Sequence, residues 1–275
     1  MRRLLLGVTL SAMVFTLMGS GTATAINGEK AKKWAGKIAA LGQRPAGKKH
    51  EREAAAIVRH RLRQLGYAVE TQYFSLPGGG RSLNAVGQTS GPIRVIIVAH
   101  MDGVPGTDAA NDNGSGVGLM LMLAKSLANE DGVLVAAVGA EERRHTGAGF
   151  HLGSRKLSRS LTSAEREGVR LAVSADMVGV GGTLNIRGLE ASPNRSSRKL
   201  LNAADRLDVR ASYLQDPTGQ SDHDEFVKRG VPATWIEWRW DPCWHQPCDQ
   251  IHRLRPWKLW QAGRVVLEAA LRELD

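Results

Sequence analysis

The chain has 275 residues, 42% of them hydrophobic, and a formal charge of +10. That is ordinary material for one large domain with a full core, and nothing in it resembles an internal repeat or a low-complexity tract. Its Lys and Arg residues are scattered rather than gathered into a basic stripe with interleaved aromatics, which argues against a nucleic-acid partner.

Met1-Arg2-Arg3, an apolar run from Leu4 to Met18 and the small residues Ala23-Thr24-Ala25 read as a signal peptide over 1–25. The run falls short of the roughly 20 apolar residues of a membrane span. We therefore expect a secreted, extracellular domain over 26–275, with no membrane attachment after cleavage. Loss of Arg2 and Arg3 lowers its charge from +10 to +8. No Cys stands near the cleavage point, so a lipid anchor is not expected.

Helical spacing with terminal glycines predicts surface helices over Glu29–Leu41 and Glu51–Leu65. Tyr67–Phe74 alternates as a strand, Pro77–Gly80 is a loop, and Leu83–Gln88 reads as a second strand before the turn at Ser90-Gly91-Pro92. The β-branched run Ile93–Ala99 reads as a strand buried on both faces of a mainly parallel sheet. A helix follows over Gly114–Ala128, then buried strands over Val133–Val138 and Leu171–Ala175. Beyond them come short strands over Thr183–Arg187 and Val209–Leu214 around a helix near Ser197–Arg206. A short helix over Asp222–Lys228, a strand over Val231–Trp238 and an amphipathic helix over Pro256–Leu274, with Pro in its first turn, complete the chain. Strand and helix alternate, which is the pattern of an α/β fold with a mixed, mainly parallel central sheet flanked by helices.

The chemistry lies at strand ends. His100 with Asp102, Glu141 with Glu142, and Asp176 each follow an otherwise apolar strand. In open α/β sheets the crevice at the carboxyl ends of the strands is where ligands bind. One carboxylate there could be a helix cap, but three strand ends delivering a His and several acids are poorly explained by capping. Asp112, in Ala110-Asn111-Asp112-Asn113-Gly114-Ser115-Gly116, also suits a helix N-cap. Capping and bridging of two cations are compatible roles there. The following glycines lack the Lys and the spacing of a phosphate loop. Cys243 and Cys248 stand close together in Cys-Trp-His-Gln-Pro-Cys, which favours a disulfide in an oxidising compartment; the rival, a thiolate zinc site, normally has four ligands.

The ordered set Ala99-His100-Met101-Asp102, Asn111 to Gly116, Glu141-Glu142, Ser174-Ala175-Asp176-Met177, Ser221-Asp222-His223 and Trp244-His245 resembles the M28 family of co-catalytic zinc peptidases, especially its compact secreted bacterial aminopeptidases. The resemblance runs from about Asn84 to His252. It implies a phosphorylase/hydrolase-like zinc-peptidase architecture, two Zn²⁺ per chain, and a peptide or small N-terminal amide as substrate; a monomer is expected, though the sequence leaves the oligomeric state open. It also implies that Asp112 bridges the metals, His100 and Asp176 complete one site, and Glu142 and His245 the other. Asp102 would then fix the tautomer of His100, and Glu141 would be the general base. Two metals about 3.5–4 Å apart can share a hydroxide and stabilise an oxyanion.

Trp244 departs from the Tyr that the best-known secreted bacterial members carry before the last His ligand. Trp at this place is also found in glutaminyl cyclases, a second reading, and a non-catalytic binding domain of the same fold is a third. Among the other histidines, His50, His60 and His151 read as surface or packing residues, and His145 as near the site without a role. His223 reads as a pocket wall, and His252 as structural.

Overall fold

The computed structural model describes residues 25–142 and 150–275. The expected leader, apart from Ala25, and His145 lie outside the described residues. Helices α1 (Gly28–Ala39) and α2 (Lys49–Gln64) lead into strands β1 (Ala68–Ser75), β2 (Arg81–Gln88) and β3 (Val95–His100). Helix α3 (Gly116–Ser126), strand β4 (Val133–Val138), helices α4 (Leu152–Ser160) and α5 (Ser163–Gly168) and strands β5 (Leu171–Ala175) and β6 (Thr183–Gly188) come next. Helix α6 (Arg195–Arg206), strand β7 (Ala211–Gln215), helix α7 (His223–Val227), strand β8 (Ala233–Arg239) and helix α8 (Pro256–Leu274) complete the fold.

The eight strands form one sheet in the order β1-β2-β4-β3-β5-β8-β6-β7. Its centre, β4-β3-β5-β8, is parallel, while β1, β2 and the β8–β6 pair are antiparallel. The period of two explains how β3 is buried throughout. Val95, Ile97 and Ala99 face the core built with α1, α2, α3, α6 and α8, whereas Ile96 and Val98 face a second core that contains Leu157 and Phe226. Both faces of the central strands are thus covered, as expected for a parallel sheet. Strand β1 at the edge alternates instead between exposed and half-buried residues.

Two helices are absent from the hydropathy reading. Helix α4 carries a Gly and three Ser among nine residues, which is poor intrinsic helix material. Tertiary contacts hold it: Leu157 enters the second core, and the amides of His151, Leu152 and Gly153 donate to the carbonyls of Glu141, Ala140 and Gly139 at 3.0 Å. Helix α5 does announce itself, because Thr162 and Glu165 form a reciprocal capping box. The glycines after Asp112 have a packing reason. A Cβ on Gly116 would stand 2.0 Å from the Ala175 carbonyl, and one on Gly118 would stand 2.4 Å from the Ala31 carbonyl. Helix α3 can therefore press against β5 and α1 only with glycine at these places. No helix among the described residues is long and apolar enough to cross a membrane.

Candidate metal centre

The four parallel strands deliver their polar residues to one crevice. His100 ends β3, Glu141 and Glu142 follow β4, Asp176 follows β5, and the segment after β8 carries His245. Together with Asp112 from the turn before α3 they line a cavity of about 320 Å³. The backbone turns sharply to bring them there. Ala109, Ala140, Met177 and His245 all have left-handed φ, as does His151, and among the described residues Asp208 is the one such non-glycine residue elsewhere. Each such residue costs on the order of 1–3 kcal/mol unless its surroundings hold it, and such strain concentrates at functional sites.

Asp112 lies between two imidazoles. Its Oδ1 is 3.2 Å from His100 Nε2, which also stands 3.5 Å from Asp176 Oδ1. Its Oδ2 is 3.1 Å from His245 Nε2, which is 3.2 Å from Glu142 Oε1. One carboxylate thus offers an oxygen to each of two His-plus-acid sets. Donor atoms of His100, Asp112 and Glu142 come within 4.8 Å of one another, as do those of His100, Glu141 and Asp176.

Burial and the neighbouring Asp112 push Glu142 up to about 8, and burial raises Glu141 as well. Burial opposes ionisation of Asp112 too, yet the flanking imidazoles hold its carboxyl well below the usual range. So many buried acids in one crevice disfavour full ionisation together, and a divalent cation among them would stand in for protons. Mixed imidazole and carboxylate donors suit Zn²⁺. Asp176 Oδ1 has no hydrogen-bond donor, which leaves it a lone pair for such an ion.

Of the residues that support these, Asp249 and Arg44 escaped the sequence reading, whereas Asp102 and Ser221 stand in its motifs. Asp102, expected to accept from His100, stands with Oδ1 3.7 Å from His100 Nδ1, within ion-pair reach though longer than a hydrogen bond. Its two oxygens instead accept the amides of Glu141 and Glu142, each at 3.1 Å, so it shapes the turn that carries the acid pair. Asp249 does the same for the Asp112 turn, accepting the amides of Asn111 at 2.7 Å and Asp112 at 3.0 Å. Ser221, from the Ser-Asp-His turn, donates to Asp176 Oδ2 at 2.9 Å. Buried Arg44 donates to the carbonyls of Met101, Asp108 and Ala109 at 2.8 Å, tying the segment after β3 to the loop before Asp112. Any of these polar residues could be read as a surface group in the sequence, and their partners lie too far along the chain to be guessed.

His151, read as a surface or packing residue, is 1% exposed and stands against Glu141, so the surface alternative falls. His223, expected in the pocket wall, is fully buried against Trp235, which itself lines the cavity, and burial pushes it down to about 4. His50 bonds the Gln43 carbonyl at an exposed site, and His60 pairs with Gln64 on the surface. Trp244 leans on the His245 ring with centroids 4.3 Å apart, and its own ring is half exposed at the cavity.

Cys243 and Cys248 form a disulfide that closes the loop around His245. Asp241 anchors the same loop by accepting from Cys243 N at 2.9 Å, Arg253 Nη1 at 2.7 Å and Asn111 Nδ2 at 2.9 Å. So short a covalent loop restricts the unfolded chain only modestly. Replacing both cysteines by Ser is expected to cost about 2 kcal/mol in urea unfolding. An unchanged midpoint would mean that Asp241 alone fixes the loop.

Residues 84–270 match the family model described as Peptidase family M28. Aminopeptidase YwaD of Bacillus subtilis (strain 168) is 30% identical over 194 residues, which are 65% of this chain and 40% of that protein. The chain thus spans about two-fifths of the length of this relative. A zinc aminopeptidase of Bacillus subtilis superposes with a TM-score of 0.83 at 19% identity, over 90% of this chain and 95% of that one. A glutaminyl cyclase of Bacteroides thetaiotaomicron superposes with a TM-score of 0.77 at 20% identity, over 90% and 98%. At such identities these likenesses establish the fold.

Proposed function

Because the chain belongs to peptidase family M28, we propose that it is a two-zinc aminopeptidase, exported from the cell, that removes N-terminal residues from peptides. The observation that carries this reading is Asp112, with one oxygen toward His100 and Asp176 and the other toward His245 and Glu142. His100 and Asp176 would hold one ion, Glu142 and His245 the other, and Asp112 both. When bound, the ions polarise a carbonyl and lower the pKa of water. The cavity admits a short chain end, with the half-exposed rings of Phe150 and Trp244 at its mouth.

Glu141 is the acid of this cluster that we assign to proton transfer. Its carboxylate would take the proton of the attacking water and return it to the leaving amine. Burial raises its proton affinity, which suits a group that must accept and then release a proton near neutral pH. The complete set of donors is the reason to prefer catalysis over a binding domain of the same fold.

Cyclisation of N-terminal Gln is the second reading, favoured by Trp244 against His245 and by the likeness to a glutaminyl cyclase. A cyclase uses the substrate's own amine as nucleophile and needs no second metal-activated water. The two readings separate on a peptide that begins with Gln. We expect Leu- and Phe-anilides to be cleaved in a chelator-sensitive way, and the Gln peptide to yield free Gln. Pyroglutamate with every peptide bond intact would establish the cyclase instead.

A further inference from the structure

We propose that His151 is a positioning residue that acts through Glu141: its ring, anchored from behind by Asp224, holds one oxygen of the base and leaves the other facing the cavity. This deepens the reading of Glu141 given above and rests on it.

The ring lies between two carboxylates. Nδ1 bonds Asp224 Oδ1 at 2.9 Å, and Nε2 stands 3.1 Å from Glu141 Oε1, close enough for an ion pair though out of line for a full hydrogen bond. Among the described residues no other side chain lies within ion-pair or hydrogen-bond distance of the Glu141 carboxylate. Burial works against a charged imidazole here, but Asp224 and Glu141 together push His151 up to about 10. With both ring nitrogens protonated, Nδ1 donates to Asp224 and the cationic ring faces Glu141 through Nε2 as an ion pair.

The anchor is itself fixed. Lys228 Nζ donates to Asp224 Oδ2 at 2.7 Å, and the backbone of His151 is tied to the Glu141 carbonyl at 3.0 Å. The donor atoms of His151, Asp224 and Glu225 come close enough to suggest a further metal site. Lys228 and Arg155 already pair with those acids, so the trio has its cations built in. What it offers is rigidity for the imidazole.

A Glu side chain has three torsions, and one held oxygen removes most of that freedom. Misplacing a reacting group by about 1 Å can cost about 100-fold in rate. We therefore expect His151→Leu to lower kcat by about 10- to 100-fold, with KM and bound zinc near the wild-type values. His151→Gln, whose amide N–H can replace Nε2, should recover most of the loss. Asp224→Asn, which loosens the anchor but leaves the ring, covers the case in which His151→Leu does not fold, and should give a smaller fall in kcat.

Two further readouts exclude a merely structural role. In the Glu141→Gln background, His151→Leu should cause no additional loss, because the two residues act as a unit. In the metal-free protein, the ring ¹H–¹⁵N signals of His151 should move on Glu141→Gln. A double variant slower than Glu141→Gln by the full factor, or ring signals blind to that substitution, would overturn the proposal. If the wild-type protein cleaves no peptide, the functional reading fails, while the signals still report whether His151 holds Glu141.

Discussion

Glu141→Gln is expected to lose at least about 100-fold in kcat, and up to about 10⁴-fold, while keeping the bound metal of the wild-type protein. The substitution preserves volume and the acceptor oxygen, and the turn is untouched because Asp102 holds the amides of Glu141 and Glu142 rather than their side chains. What disappears is the ability to take a proton. Glu142→Gln, one residue on, should behave differently. Its Oε1 faces His245 at 3.2 Å, and an amide there is a weaker ligand, so zinc should fall before rate does. Steady-state kinetics on an aminoacyl-anilide beside metal analysis of both variants decides the matter. If Glu141→Gln lost zinc and Glu142→Gln kept it, the roles within the pair would be reversed.

Asp112→Ala is expected to weaken both metal sites together, by more than the 10- to 100-fold typical of an outer-shell partner. Oδ1 faces the His100 and Asp176 side and Oδ2 the His245 and Glu142 side, so under the proposed two-zinc reading one substitution would remove a ligand from each site. Asp176→Ala, by contrast, should weaken one site first, since its Oδ2 is already engaged by Ser221 and only Oδ1 faces His100. Zinc titration of the metal-free variants, read as two binding steps, tests this. Loss of a single step from Asp112→Ala would remove it from the bridging role. A thermal melt of each metal-free variant guards against misfolding, because the Asp112 turn stays anchored through its backbone by Asp249.

The legible part of the site was the part written as a break in a local pattern. A β-branched run ending in His100, and Val133–Val138 ending before the Glu pair, are contrasts between neighbours in the chain. Period-two burial of β3 between two cores then follows from strand geometry. Asp112 was recognisable through the order of motifs around it, and the Cys pair through its close spacing together with the expected oxidising compartment. Helix α4 was illegible for the converse reason: its residues favour no helix, and its stability comes from Leu157 in the second core and from backbone bonds to 139–141.

Sequence therefore determined the kind of chemistry: which strands are buried, which polar residues end them, and that imidazoles and carboxylates converge on one crevice. Only the tertiary structure decided how those residues are aimed. Asp249 acts on the Asp112 turn across 137 positions, Arg44 on Met101 across 57, and Asp224 on His151 across 73. A strand end reports its own location through hydrophobic periodicity, which is a local property. A hydrogen bond between distant polar residues leaves no such periodic trace, because either partner alone has the character of an ordinary surface residue until the fold brings the two together.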